Sequence, residues 1–264
     1  MSLLNNRAHL SEFHDQPWFP KVFRDGLTDA LQSVLNLGAV YAPIAPRLGQ
    51  AIAACGAHRV VDLCSGSGGP WSWLRQIISA KYGIAVEVCL TDKYPNVGAF
   101  NRSSAAGAHG AISYFAEPVD AAHVPAELSG FRTMFSSVHH LRPDQVAAVL
   151  QDAVDKGQGI GVFDAATRHP LTMLITCVVP FAAFLTTPFL RPFRWSRLFW
   201  TYLIPVIPFV LWFDGIVSCL RAYSPADLRE MTSRLSAPNY KWEIGEESRI
   251  PGVVPVTYVI GYPT

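Results

Sequence analysis

The run RVVDLCSGSGGPWSWLRQIIS, residues 59–79, constrains the fold more than any other stretch of the chain. Its first five residues are a short apolar segment of the kind a parallel sheet buries on both faces, with Asp62 near its carboxyl end. Gly66, Gly68 and Gly69 then let the backbone turn sharply and pass close to a ligand. Pro70 stands at the first position of the following helix, where its missing N–H leaves nothing unsatisfied. A polar or anionic group of a nucleotide is expected near that helix N-terminus. Strand, glycine turn and helix make half of a βαβ unit, so the rest of the chain must supply further strands and crossovers.

It does so in regular alternation. AVEVCL (85–90), AISYF (111–115), FRTMFSSV (131–138) and GIGVFDA (159–165) read as strands. NVGAFNRSSAAG (96–107) and PDQVAAVLQDAVDKG (143–157) read as the intervening helices, the second started by Pro143. YAPIAPRLGQAIAACG (41–56) reads as a helix before the first strand, closed by Gly56. Near the end, SPADLREMTSRL (224–235) is a helix capped by Ser224, with Pro225 in its first turn and Asp227 near the positive end of its dipole. YKWEIGE (240–246) and VVPVTYVIGY (253–262) lie close enough to pair as an antiparallel hairpin. These readings predict an α/β fold: a Rossmann-like, doubly wound, seven-stranded sheet ending in an antiparallel hairpin, with a hydrophobic helical insertion. Residues 1–40 form an N-terminal cap, 41–165 and 224–264 the core, and 166–223 the insertion.

Composition narrows the partners. Half of the 264 residues are hydrophobic, enough for one sizeable core, and the net charge of +1 comes with no block of Lys and Arg. That gives no footprint for nucleic acid. Cys55, Cys64, Cys89, Cys177 and Cys219 show neither CxxC nor Cys/His zinc spacing, so they read as thiols in a reducing compartment. The start, MSLLNNRAHLSEFHDQPW, lacks a signal-peptide pattern, and a cytoplasmic catalytic body is expected. His9, His58, His109, His123 and His169 lack ligand spacing, and no HExxH, GxSxG or P-loop pattern is present. Neither a metal ion nor a hydrolytic triad is expected.

Asp92 follows the second strand by two residues, where a carboxylate can accept hydrogen bonds from ribose hydroxyls. Trp71 occupies the place of the third glycine of a dinucleotide fingerprint, which favours S-adenosylmethionine over a nicotinamide cofactor. Residues 55–165 and 224–264 resemble the class I S-adenosylmethionine-dependent methyltransferases. DLCSGSGGP (62–70) looks like their first motif, which implies that Asp62, Cys64, Gly66 and Gly68 lie along the methionine and ribose of the cofactor. The resemblance gives Asp92, with Lys93 beside it, the ribose hydroxyls. It gives Asp120 and Ala121 of PVDAAHVP the adenine, and places FSSVHHL beside the methyl group. Two departures stand out: Cys64 where many members have glycine, and the long insertion. DQPWFP and DGIVSCLRAY look like segments of a bacterial subgroup of this family.

Methyl transfer needs alignment of acceptor and methyl, and a proton acceptor when the nucleophile is a hydroxyl or amine. His139 and His140 follow the fourth strand and Asp164 ends the fifth, so all three are candidate catalytic groups at the carboxyl edge. A hydrogen bond to a loop carbonyl, or a helix cap at Asp164, is the structural alternative. Asp214, Arg221 and Tyr223 either stitch the insertion to the core or, for Arg221 and Tyr223, meet the acceptor. His14, Asp15 and Trp18 are placed to cap the cofactor, with Trp18 also among the candidate substrate-binding residues.

The insertion sets the substrate class. LTMLITCVVPFAAFLTTPFL (171–190) carries no charge over twenty residues, long enough to span a membrane. LFWTYLIPVIPFVLWF (198–213) is shorter, and Arg191, Arg194 and Arg197 lie between the two. With the catalytic body inside, a spanning hairpin would put these arginines outside, against the positive-inside tendency. Pro180, Pro188, Pro192, Pro205 and Pro208 also interrupt long helices. Aromatics beside arginines suit an interface, so the insertion reads as an acceptor-side lid, peripheral on the inner membrane face, with Trp195 and Tyr202 meeting substrate. A hydrophobic lid within a soluble protein or a homodimer is one alternative, and a true spanning hairpin is the other. The expected acceptor is a hydrophobic small molecule or lipid-like compound. A nicotinamide-dependent oxidoreductase and a non-catalytic, membrane-anchored cofactor-binding protein are the competing functions.

Overall fold

The computed structural model describes residues 7–8, 10–106, 110–191, 193–251 and 253–264; His9, His109 and Pro192 lie outside the described residues. Its centre is one seven-stranded sheet in the order β3-β2-β1-β4-β5-β7-β6. β1 (Arg59–Leu63), β2 (Glu87–Leu90), β3 (Ile112–Tyr114), β4 (Phe131–Phe135) and β5 (Ile160–Asp164) run parallel. β7 (Val256–Pro263) runs antiparallel to β5, and β6 (Tyr240–Glu247) pairs with β7 as the hairpin expected from the sequence. The chain winds outward from β1 to β3, then returns to place β4 on the other side of β1. That reversal opens a crevice above the carboxyl ends of β1 and β4, where open α/β sheets bind ligands.

Alternation along the central strands builds two cores. Val60, Phe131, Phe135 and Phe163 face one side and are covered by α2 (Ala45–Ala54) and α3 (Trp71–Tyr82) through Leu48, Ile52, Trp71, Leu74 and Ile78. Val61, Leu63, Met134 and Val162 face the other, against Val146 and Leu150 of α5 (Pro143–Asp155) and Leu228 of α10 (Pro225–Ser233). α4 (Val97–Ala106) packs beside β3. Within the second core, the buried Arg132 guanidinium is held by Asp152 at 2.7 Å.

A third, smaller core joins the N-terminal region to the insertion. Phe19, with Leu27 and Ala30 of α1 (Lys21–Leu37), packs on Ala183 of α7 (Val179–Thr186) and on Ile207, Val210 and Leu211 of α9 (Val206–Arg221). The expected cap and lid are thus packed against each other.

The structure shortens two strands read from sequence. β4 stops at Phe135 because Ser136 turns into the left-handed region (φ 44°), and Val138–His140 form one 3-10 turn. The last strand starts at Val256 rather than residue 253, after Val254 adopts φ 45°. The first apolar stretch of the insertion is interrupted: α6 (Pro170–Thr176) ends before α7, because Pro180 has no N–H for the Thr176 carbonyl. Even so, Pro170–Phe189 is long and apolar enough to cross a membrane by length and composition. Its counterpart bends by 73° at Ile204 and Pro205, between a segment formed by α8 (Trp195–Leu198) with Phe199–Leu203 and α9.

Candidate active site

The glycine loop is held open from below by Asp62. This carboxylate is 1% exposed; Oδ1 accepts from Thr133 Oγ at 2.6 Å and Oδ2 from Ser65 Oγ at 2.7 Å. Burial pushes its pKa up to about 6 against those hydrogen bonds. The Asp62 carbonyl also accepts from Thr91 N–H and Oγ, locking the ends of β1 and β2 together. Asp62 is therefore a support of the loop and is not an open ligand group. Gly68 is the position that requires glycine: it has φ 110°, and a Cβ there would collide with Ser103 Oγ. Burial pushes the Cys64 thiol up to about 12, which makes it a small neutral side chain rather than a nucleophile.

Asp92 crosses the loop from the next strand. Its Oδ2 accepts from Gly66 N–H at 2.9 Å and its Oδ1 from Tyr94 N–H at 2.8 Å. The Asp92 carbonyl accepts from Val119 N–H, which brings the segment holding Asp120 and Ala121 alongside. Lys93 Nζ lies 3.2 Å from Asp120 Oδ2, and Oδ1 of Asp120 accepts from Ala122 N–H. The Ala122 N–H, and then Lys93, hold Asp120 below the usual carboxylate range although desolvation opposes them. Asp62, Cys64, Gly66, Gly68, Asp92, Lys93, Asp120 and Ala121 thus gather along one edge, over the ends of β1 and β2.

The histidines stand across the crevice. His139 is buried, and its Nδ1 lies 2.7 Å from Asp164 Oδ2, while Asp164 Oδ1 accepts from Ala166 N–H. This fixes the imidazole and leaves Nε2 as its other ring nitrogen. His140 Nδ1 is 2.8 Å from Asp15 Oδ1 and 3.7 Å from Glu12 Oε2. The two rings are 4.2 Å apart between centroids.

Glu12 and Arg7 are the groups that sequence reasoning missed. Glu12 is buried beside both histidines, and burial pushes its carboxyl up to about 7. Arg7 donates to the carbonyls of His139, Leu141 and Arg221, and stacks 4.1 Å above the Tyr223 ring. Burial, with the nearby His140 charge, lowers His14 to about 4. Burial alone would raise Asp15, but His140 and Arg221 together hold it below the usual carboxylate range. No local spacing flags Arg7 or Glu12, because the N-terminal segment reaches the site only through the tertiary fold; His14 and Asp15, expected over the cofactor, stand instead beside His140.

Arg221 and Tyr223 are corrections to the expected acceptor set. Arg221 is buried; it donates to the His139 and His140 carbonyls and pairs with Glu12 at 3.2 Å and Asp15 at 2.5 Å. Tyr223 is buried and donates to the Leu141 carbonyl. Both therefore stitch the insertion to the histidine turn and are not open to an acceptor. Asp214 serves the same end, accepting from the N–H groups of Phe13 and His14. Trp18, Trp195 and Tyr202 are exposed on the outer surface, and Tyr202 donates to the Phe184 carbonyl. Glu12, His139 and His140 bring ligand atoms within 4.8 Å of one another, a grouping that no spacing in the sequence marks.

No protein-family model matches the chain, and no curated protein matches it in sequence. Solved structures do match it in shape. The plantazolicin methyltransferase BpumL in complex with SAH aligns over 96% of this chain and 94% of its own, at TM-score 0.59 and 7% identity. Human N-acetylserotonin methyltransferase in complex with SAM aligns over 94% of this chain at TM-score 0.55 and 12% identity. An O-methyltransferase-like protein from Nostoc punctiforme aligns over 98% at TM-score 0.51 and 14% identity. The chain spans 59% and 65% of the length of these last two. The chain has the fold of the class I S-adenosylmethionine-dependent methyltransferases.

Proposed function

We infer that the protein is an S-adenosylmethionine-dependent methyltransferase acting on a hydrophobic small-molecule or lipid-like acceptor at a membrane surface. The observation that carries the cofactor reading is the Asp92 carboxylate bridging the Gly66 and Tyr94 N–H groups at the mouth of a loop in which Gly68 admits no Cβ. The residues fit the cofactor: a glycine cradle, an acid at the second strand and a second acid at Asp120. Asp92 would hold the ribose, the segment at Asp120 and Ala121 the adenine, and the Gly66–Gly68 backbone the methionine side. When bound, S-adenosylmethionine supplies an electrophilic methyl group on a sulfonium. The chain's own part is to align the acceptor, exclude water and hold a lone pair at His139 Nε2, with Asp164 fixing the opposite nitrogen.

The insertion supports the acceptor class. The insertion lies on the side of the histidines, because α9 packs on the turn that carries His139. Its outer surface leaves Phe181, Leu185, Phe189, Trp195 and Leu203 each more than 60% exposed, as is Trp18 of the cap. Arg191 is exposed among these rings, whereas Arg194 pairs with Asp25 at 3.6 Å and Arg197, expected at the surface with them, is buried against Asp29 at 2.6 Å. Burying apolar rings at the head-group level while the Arg191 guanidinium meets a lipid phosphate favours an anionic bilayer as the occupant.

Titration calorimetry with S-adenosylhomocysteine tests the cofactor reading: tight binding that weakens at least tenfold in Asp92→Ala is expected, and no binding, or no effect of the substitution, refutes it. Flotation with anionic and neutral vesicles tests the surface. Binding to anionic vesicles alone, lost in a Phe181→Ser, Leu185→Ser, Trp195→Ser variant, is expected. A dimer in light scattering with no vesicle binding would assign that face to a second copy.

A further inference from the structure

We propose that Glu12, His139 and His140 form a site for a first-row divalent transition metal ion, with Asp164 and Arg221 as its outer supports. Glu12 comes from the N-terminal segment and the neighbouring His139 and His140 from the turn after β4, and their ligand atoms lie within 4.8 Å of one another. Metal–ligand bonds of about 2.1 Å at tetrahedral angles put ligand atoms about 3.4 Å apart. The His140 Nδ1 to Glu12 Oε2 separation is 3.7 Å, so closure on an ion needs small side-chain rotations and no backbone change. Two imidazoles and one carboxylate select Zn, Mn, Fe or Co over Mg and Ca, which take oxygen ligands.

The surroundings have the form that a metal site requires. A ligating histidine usually gives its other nitrogen to a carboxylate, and a ligating carboxylate is itself hydrogen-bonded. Asp164 Oδ2 occupies His139 Nδ1 at 2.7 Å, which leaves Nε2 as the nitrogen free to ligate. Arg221 engages Glu12 through Oε1 and leaves Oε2 directed at His140. The same guanidinium pins the His139 and His140 carbonyls, fixing the spacing of the two rings. Asp15 Oδ1 lies 2.8 Å from His140 Nδ1, which adds a further carboxylate at the edge of the cluster.

Three protein ligands leave coordination positions for an oxygen of the acceptor. There the ion lowers the acceptor's pKa and orients its lone pair, and His139 serves as ligand rather than as base. This consequence, unlike the binding itself, rests on the methyltransferase reading. The acceptor class becomes an apolar molecule presenting a hydroxyl or carboxylate oxygen.

Equilibrium dialysis of chelator-stripped full-length protein against cobalt(II) and zinc(II) tests the site, read by bound-metal stoichiometry and the cobalt absorption spectrum. One equivalent with a nitrogen-ligand spectrum is expected. Glu12→Gln and His140→Ala should each lower affinity at least tenfold, and Asp164→Asn about tenfold through His139. Affinity for S-adenosylhomocysteine should stay unchanged in all three. In the wild type, where no variant can mislead by misfolding, paramagnetic shifts from cobalt should fall on the His139 and His140 ring signals. Substoichiometric binding, stoichiometric binding that survives both Glu12→Gln and His140→Ala, or shifts on other histidines would overturn the proposal. Loss of S-adenosylhomocysteine binding with metal binding intact would instead remove the methyltransferase reading.

Discussion

Replacing Arg221 with methionine is the most direct probe of how the three parts of the chain are joined. The side chain is 3% exposed and meets two carboxylates and two carbonyls contributed by the N-terminal segment and the histidine turn. Arg221→Met keeps most of the apolar volume, so the loss is electrostatic. Removing one partner of a buried pair costs about 3–5 kcal/mol, because the other charge stays behind without compensation. Here the stranded group is Glu12, itself 2% exposed. The Asp15 arm is partly exposed and adds little. Glu12, already raised to about 7, can relieve part of this by taking a proton, so a net loss at the lower end, about 3 kcal/mol, is expected. For a chain of this length it lowers Tm by about 6–12 °C. Urea unfolding followed by tryptophan fluorescence measures it. The double variant with Glu12→Gln should recover about 1–2 kcal/mol, because the stranded carboxylate is then gone. A loss below about 1 kcal/mol, or strict additivity in the double variant, would refute the stitching role.

Other outcomes follow from the loop and the adenine side. Gly68→Ala forces a side chain into φ 110° against Ser103 and should destabilise by about 1–3 kcal/mol, read by urea midpoint, while abolishing S-adenosylhomocysteine binding. Asp120→Ala acts oppositely: its pair with Lys93 is largely exposed, so stability should move by less than about 0.5 kcal/mol while cofactor affinity falls in calorimetry. Asp62 titrates near 6 in the folded chain against about 4 when unfolded. It binds its proton more tightly in the fold, so its stabilising contribution is full below about pH 4 and is lost as pH rises through 6. That amounts to roughly 3 kcal/mol. Asp62→Asn should remove this falling slope from urea midpoints measured between pH 4 and 7.

The fold was legible because its signals are local and repeated. A buried apolar run such as Val60–Leu63, a glycine turn and a proline-started helix each carry their own physical reason, and their alternation leaves few topologies open. The antiparallel end was legible for the same reason, since 240–246 and 253–262 are neighbours with almost no chain between them. Where the reading overran, the cause was a residue in an unfavourable conformation. Ser136 and Val254 both adopt positive φ although neither is glycine, and no propensity marks such a position. At Ser136 the fold supplies the support: its hydroxyl meets Tyr41, and its N–H donates to the Phe163 carbonyl at 2.8 Å. Departing from the strand there turns the chain so that His139 faces inward.

The site divides along the same line. Asp92 and Asp120 lie at fixed distances after strands, so strand prediction alone brings them to the carboxyl edge, and their hydrogen bonds need only neighbouring loops. Glu12, Arg7 and Arg221 have no such frame. Glu12 sits in SEFHDQ, a stretch in which no spacing singles it out, and Phe13 beside it packs against Phe213, with ring centroids 4.9 Å apart. That contact exists only because α9 lies over the histidine turn, and α9 stays there because Arg221 at its end grips the His139 and His140 carbonyls. Each link presupposes the others, so no single segment carries the information. A buried polar cluster assembled in this way must satisfy every donor and acceptor at once. Here Asp164 meets His139 Nδ1 at 2.7 Å, Asp15 meets His140 Nδ1 at 2.8 Å, and Arg221 joins Glu12 and Asp15 to both histidine carbonyls.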